Sequence, residues 1–85
     1  MKILYKPSFI RQYKKLIPEL QEEVKDTIEL LGIDPDTPKL KSHKLKGKLQ
    51  GCWSCSINFS YRIVFEYESS QSIVLLKVGN HDVYR

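Results

Sequence analysis

The sequence lacks a long apolar segment, and its longest wholly apolar runs extend over only a few residues. A membrane-spanning helix needs about 20 consecutive, mostly apolar residues, so no segment of the chain predicts one. The amino-terminal stretch 1–6, MKILYK, also lacks the apolar core of a secretory signal peptide. We therefore expect a cytoplasmic protein that makes no contact with a membrane.

Cysteine is scarce as well. Cys52 and Cys55 form a lone C-x-x-C pattern, and no second pair of ligands follows at a spacing typical of zinc. On a helix or a tight turn such a pair can be redox-active or bind a metal. Here it lies in a strand-like run, where residues three apart point to opposite faces. We interpret both residues as reduced structural cysteines and expect no metal and no cofactor.

Glycine and proline number only four each, and the sequence has no repeat, low-complexity tract or linker. The 85 residues correspond to one domain that spans residues 1–85. A chain of this length buries only about 60% of its unfolded surface, so we expect a single compact core.

Acidic residues are outnumbered by basic ones, which gives a net charge of +4 and a pI of about 9.1. This excess favours an anionic partner, either nucleic acid or an acidic protein segment. Five lysines and His43 are concentrated in residues 39–48. Such a run is typical of a solvated edge strand, where lysines discourage pairing with another sheet. It is equally typical of a phosphate-binding stripe, which would consist of Lys41, Lys44, Lys46 and Lys48.

Helical periodicity follows a short predicted strand at residues 2–6. Ser8 is placed to cap a first helix, Pro18 suits the first turn of a second, and Gly32 is a natural C-cap for it. Two helices joined by so short a turn predict a helical hairpin. The apolar residues at helical spacing are Phe9, Ile10, Tyr13 and Leu16 in the first helix and Leu20, Val24, Ile28 and Leu31 in the second.

From residue 39 onward the periodicity changes to two. Strand-like segments span 39–45, 53–59, 61–67 and 72–78, and the last is apolar enough to predict a central strand buried on both faces. The order β-α-α-β-β-β-β predicts an α+β domain, with the helical hairpin packed on one face of a small, mostly antiparallel sheet. We assign to the core Trp53, Ile57, Phe59, Ile63 and Phe65.

Four motifs in this order resemble the RelE/ParE toxin superfamily, in particular its RelE/StbE and YafQ-like branches, and the resemblance covers essentially the whole chain. Residues 8–16 are similar to the family's first helix, and residues 43–47, HKLKG, to its "(H/R)-x-L-x-G" element. Residues 60–65, SYRIVF, resemble its "Y-R" strand. Residues 78–84, VGNHDVY, are similar to the ending "I-G-x-H-D-x-V-Y", with one residue fewer.

The resemblance implies site residues one by one. Arg62 matches an arginine that supports the scissile phosphate in RelE, and Tyr84 matches a later tyrosine. His43 and His81 match two histidines of the YafQ branch. Ser54 and Ser56 stand where RelE has two lysines, and Ser56 and Ser60 where YafQ has a further histidine and aspartate, so the chain combines two patterns.

Metal-free cleavage of RNA needs a base for the 2′-hydroxyl, an acid for the departing 5′-oxygen and a cation for the phosphate. Histidine titrates closest to neutral pH, and arginine offers a planar fork for phosphate oxygens. We therefore expect His81 as the acid, Arg62 as the phosphate ligand and His43 as the best candidate for the base. Tyr84 would stack on a base. Residues expected to contact RNA are Lys41, Lys44, Lys46, Lys48, Ser54 and Ser56.

The resemblance thus implies the toxin of a type II toxin–antitoxin system, an endoribonuclease that cuts mRNA on the ribosome. Its expected partners are an acidic antitoxin, partly disordered when free, and operator DNA bound by the toxin–antitoxin complex. Two alternatives stay open. One is a non-enzymatic inhibitor of DNA gyrase, as in the ParE branch. The other is a degenerate toxin that only binds its antitoxin and regulates transcription.

Overall fold

A short strand, β1 (Lys2–Tyr5), leads into two helices, α1 (Pro7–Lys14) and α2 (Pro18–Ile33). The computed structural model describes residues 1–84, except for the side chain of Asp82; Arg85, the end of the predicted tail, lies outside the described residues. Each helix begins with proline, whose fixed φ suits the first turn and whose missing N–H would have no helical partner there.

Two predicted helix caps are wrong. The backbone of Lys6 caps α1, and the Ser8 hydroxyl instead donates a hydrogen bond of 2.7 Å to the Leu76 carbonyl oxygen. Gly32 does not end α2, because the helix continues to Ile33 and Asp34 forms its cap. The Ser8 hydroxyl is bound by a distant part of the chain and so cannot cap its own helix. At the other end, the Asp34 N–H bonds to the Leu30 carbonyl oxygen at 2.9 Å, which extends the helical hydrogen bonding past Gly32.

Within residues 1–84, four further strands complete a five-stranded sheet: β2 (His43–Lys44), β3 (Trp53–Ser56), β4 (Arg62–Ser69) and β5 (Ser72–Gly79). The strand order is β1-β5-β4-β3-β2. β1 pairs with β5 in parallel, and the other three pairs are antiparallel. The predicted α+β class and mostly antiparallel sheet are confirmed. β5 is an interior strand as predicted, although β4 holds the middle position.

One face of the sheet packs against the helices and forms the core. Side chains alternate along each strand, so paired residues such as Cys55 and Ile63 point to the same face. The buried cluster combines residues of α1 and α2 with this helix-covered face: Phe9, Val24, Leu31, Leu40, Cys55, Ile63, Phe65, Ile73, Leu75 and Val78. The opposite face, to which Ser54 and Val64 point, is called the helix-free face below, and the carboxy-terminal segment packs on it.

The predicted strands at 39–45 and 53–59 are longer than the observed ones. Residues Pro38–Leu40 form a 3-10 turn, which leaves only His43–Lys44 as strand. β3 ends at Ser56 because the backbone turns at Asn58. Phe59 is consequently 95% exposed, and its assignment to the core is wrong.

Among the described residues, no helix is both long and apolar enough to cross a membrane.

Candidate functional site

A row of four side chains crosses the helix-free face from the sheet edge inward. His43 on β2 pairs with Ser54 on β3, Ser54 pairs with Val64 on β4, and Val64 pairs with Lys77 on β5. Directly paired residues share a face, with Cβ atoms about 4.5–5.5 Å apart. The register therefore brings His43 to the same surface as Ser54.

The carboxy-terminal 3-10 turn, His81–Tyr84, adds two aromatic side chains to this surface. The Tyr84 hydroxyl lies 2.8 Å from Ser54 Oγ, a hydrogen bond across 30 residues of sequence. The Tyr84 ring is half-buried, and its centroid lies 6.5 Å from that of His81. Val83 is buried and anchors the turn, while His81 stays exposed. Exposure leaves the His81 imidazole free to exchange protons with a ligand.

Ser54 does not lie open on this face, although its expected contact with RNA requires that it should. It is fully buried, and its hydroxyl is hydrogen-bonded to the Tyr84 hydroxyl. The expected direct contact between Ser54 and RNA is therefore wrong. Its place in the structure is that of a support that positions the Tyr84 phenol.

The His43 ring has a defined orientation. Its Nδ1 lies 3.1 Å from the Lys41 carbonyl oxygen, which can only accept a hydrogen bond, so Nδ1 carries the proton. In the neutral ring Nε2 is then the unprotonated nitrogen. Because the side chain is exposed, Nε2 can accept a proton from a ligand, as a general base must.

Arg62 begins β4 on the same helix-free face, paired with Ser56 and Gly79. Its Nη1 donates hydrogen bonds to the carbonyl oxygens of Asn58 and Tyr61. Within the described part of the chain, Arg62 forms no ion pair with Glu66 of the same strand. Arginine has five N–H donors, and the two described bonds use Nη1 alone.

The four lysines expected to bind RNA are all exposed but do not form one stripe. Lys44 pairs with Trp53 and points to the face opposite His43, with its Nζ 5.6 Å from the Trp53 ring centroid. Lys44 and Lys46 line a groove of about 510 Å³ beside Trp53. Lys41 adopts a left-handed backbone conformation before β2, and Lys48 lies in the turn after it. The lysines surround an edge strand, as the interpretation of a solvated edge predicts, and their binding of RNA phosphates stays a prediction.

Lys77, a half-buried residue in the row with Ser54, is not among the site residues that the sequence predicted. A lysine within the apolar run of an interior strand was the available signal, because such a charge must avoid the core face. No group of three or more His, Cys, Asp or Glu side chains in the described part of the chain is arranged to hold a metal ion.

Comparisons with known proteins agree with this fold. The YafQ family model, described as a bacterial toxin of type II toxin–antitoxin systems, matches residues 1–84. A comparison with curated protein sequences gives no significant match.

Solved structures cover nearly the whole chain. The YoeB/ParE toxin from Agrobacterium tumefaciens is 25% identical, with a TM-score of 0.78 over 95% of this chain and 99% of that one. YafQ from E. coli strain BL21(DE3) is 15% identical, with a TM-score of 0.81 over 98% and 96%. The E. coli DinJ-YafQ toxin-antitoxin complex is 16% identical, with a TM-score of 0.77 over 96% and 93%. The chain therefore belongs to the YafQ family, the toxins of bacterial type II toxin–antitoxin systems, within the RelE-like superfamily.

Proposed function

We propose that this toxin is an endoribonuclease that cleaves mRNA without a metal ion, on the ribosome, and so inhibits translation. The observation that carries the proposal is the shared location of His43, Tyr84, His81 and Arg62 on the helix-free face.

The chemistry divides among these side chains. His43 Nε2 removes the proton of the 2′-hydroxyl, and O2′ attacks the neighbouring phosphorus. The bond from phosphorus to O5′ breaks while protonated His81 donates a proton to that leaving oxygen. The products are a 2′,3′-cyclic phosphate and a 5′-hydroxyl, so no water, metal or oxidant is consumed.

Arg62 and Tyr84 have supporting roles in this scheme. The guanidinium of Arg62 would balance the charge that builds up on the non-bridging phosphate oxygens. Its bonds to the turn at 58–61 hold it in place before the RNA arrives. Tyr84, fixed through Ser54, offers a flat ring for a nucleobase beside the reacting phosphate.

The same proposal includes a protein partner. One of the similar E. coli structures is a complex of YafQ with the antitoxin DinJ. For this chain, whose net charge is +4, we expect an acidic antitoxin that is partly disordered until it binds. The joint complex would bind operator DNA.

The test is expression in a translating extract, followed by primer extension on a reporter mRNA. Wild type should produce cuts in phase with the codons, and His81→Ala should lose them by roughly 100-fold or more, the usual size of a general-acid contribution. His43→Ala should slow cleavage as well. Circular dichroism of each variant provides the control for folding.

Uncut mRNA with a folded wild type would contradict the proposal. A gyrase supercoiling assay on the same preparation would then distinguish a gyrase inhibitor from a toxin that only binds its antitoxin. Full cleavage by His81→Ala would instead show that the protein is a nuclease but that His81 is not its general acid.

A further inference from the structure

Phe59 stands out because it is 95% exposed, whereas the sequence pattern predicts it in the core. It lies in the bend between β3 and β4, three residues before Arg62. An aromatic ring left in water gains nothing from folding, and single exposed apolar residues are ordinary. Its surroundings, rather than its exposure, indicate a ligand.

The backbone on both sides of Phe59 is tightly held. Asn58 Oδ1 accepts hydrogen bonds from the N–H groups of Ser60, at 2.9 Å, and Tyr61, at 2.8 Å. Asn58 Nδ2 donates to Glu23 Oε2 of α2 at 3.0 Å. The bend therefore presents the Phe59 ring from a braced turn, and little backbone entropy would be lost on binding.

Arg62 links this turn to the candidate phosphate site. Its Nη1 donates to the carbonyl oxygens of Asn58 and Tyr61, which lie on either side of Phe59 and Ser60 in the chain. One guanidinium thus contacts the turn and belongs to the surface that carries the histidines. A phosphate bound by Arg62 would place the adjoining nucleotide next to the turn.

We infer that Phe59 stacks on an unpaired nucleobase next to the phosphate held by Arg62, and that it thereby positions single-stranded RNA for cleavage. The inference rests on the proposed function. A phenyl ring stacks on any base, since each base has a π-face, and such contacts are typical of proteins that hold single-stranded RNA. Phe59 would add a second stacking position to that of Tyr84.

Binding is measured in the full-length His81→Ala background, so that RNA is not consumed. The probe is a fluorescein-labelled single-stranded RNA hexamer, followed by anisotropy. Phe59→Ala should weaken binding by roughly 10-fold, the size expected for one stacked base, and Phe59→Trp should bind at least as tightly as the parent. Phe59→Leu should resemble Phe59→Ala, because stacking needs a flat ring, whereas an apolar contact with a protein would tolerate leucine.

Ile33→Ala is the matched control. Ile33 is also an exposed apolar residue, at 80%, but it lines a groove with Ser70 and Gln71 at the far end of β4. Its substitution should leave RNA affinity unchanged.

Unchanged affinity in Phe59→Ala, or full affinity in Phe59→Leu, would overturn the inference. Cleavage of mRNA by the wild type is scored separately and tests the proposed function alone. A wild type that cuts while Phe59→Ala binds normally would reject only the role of Phe59. A wild type that does not cut but loses RNA affinity with Phe59→Ala would reject the nuclease and keep the stacking contact.

Discussion

Ser54 and Tyr84 show how one buried hydrogen bond holds a candidate functional side chain. Ser54 is fully buried, and the phenol of Tyr84 is the partner of its hydroxyl. A buried hydroxyl that loses its partner costs about 1–3 kcal/mol. The geometry of Tyr84 on the helix-free face therefore depends on a residue that cannot itself contact RNA.

Tyr84→Phe should lower the free energy of unfolding by about 1–2 kcal/mol, because it leaves the Ser54 hydroxyl buried without a partner. Adding Ser54→Ala should not lower it further, since the unpaired hydroxyl is then gone. Urea unfolding of the two single variants and the double variant measures this coupling. Strictly additive losses would show that the bond contributes no stability.

Cys55 carries a second residue-scale effect. Burial raises the pKa of its thiol from an ordinary value of 9.0 to about 12, and the thiol belongs to the core. In the unfolded chain the thiol ionises first, so the free energy of unfolding is unaffected below about pH 9 and falls as pH rises towards 12. A pKa difference of this size corresponds to about 4 kcal/mol at most.

Cys55→Ala should remove this component of the pH dependence, although it leaves a small cavity and lowers stability at neutral pH. Urea unfolding from neutral pH up to about pH 11, below the pKa of the folded thiol, measures both effects. If the variant lost stability with pH as steeply as the wild type, the ionisation of other groups would account for the alkaline decline.

At the scale of elements, the junction between β5 and the carboxy-terminal turn sets the position of His81 and Tyr84. Gly79 ends β5, and a Cβ built there would lie 3.1 Å from Val83 Cγ1. That distance is tighter than most Cβ contacts, so buried Val83 would have to shift by a few tenths of an ångström. Glycine therefore allows the turn to close over the sheet.

Gly79→Ala should displace the turn and lower RNA cleavage about 10-fold, in line with the sensitivity of catalysis to small misplacements, while circular dichroism stays native. Gly32→Ala is the matched control. Gly32 lies inside α2, and its added Cβ would meet the Met1 carbonyl oxygen at an ordinary contact distance of 3.9 Å. The control should gain about 0.5–1 kcal/mol of stability and keep its activity. Equal RNA cleavage by the two variants would show that cleavage does not depend on the position of the turn.

At the scale of the whole molecule, charge is distributed between two regions. Helix α2 carries an acidic surface, and the lysines of residues 39–48 surround the β2 edge. With a net charge of +4, the chain would attract RNA over distances set by the ionic strength. Affinity for RNA should therefore fall with added salt.

Replacing the four expected lysines with glutamine should reduce the salt dependence of RNA binding by about 0.7 in logarithmic slope for each phosphate that the variant no longer neutralises. The matched control replaces four exposed lysines elsewhere, which changes net charge equally. Equal slopes in the two sets would mean that net charge, rather than the β2 edge, governs binding. The test set is Lys41, Lys44, Lys46 and Lys48, and the control set is Lys2, Lys6, Lys14 and Lys25.

Local patterns were sufficient for the order of elements. Apolar residues at helical spacing identified α1 and α2, and alternation identified the β4–β5 hairpin, because these periods arise from the backbone geometry of each element alone. Motifs such as residues 78–84 pointed to the family, and the match to the YafQ family model confirms it. The motifs also named the four candidate catalytic residues.

Tertiary structure decided which of those residues meet. Periodicity cannot tell where a strand stops, so it placed Phe59 in the core, whereas the structure leaves it exposed. Periodicity also cannot tell what covers a sheet face, so the expected contact of Ser54 with RNA did not anticipate its burial beside Tyr84. The register of β2 on β3 and the turn after Gly79 bring His43 and Tyr84 to one face. Those contacts link residues far apart in the chain, and only the complete packing of sheet, helices and carboxy-terminal turn can select them.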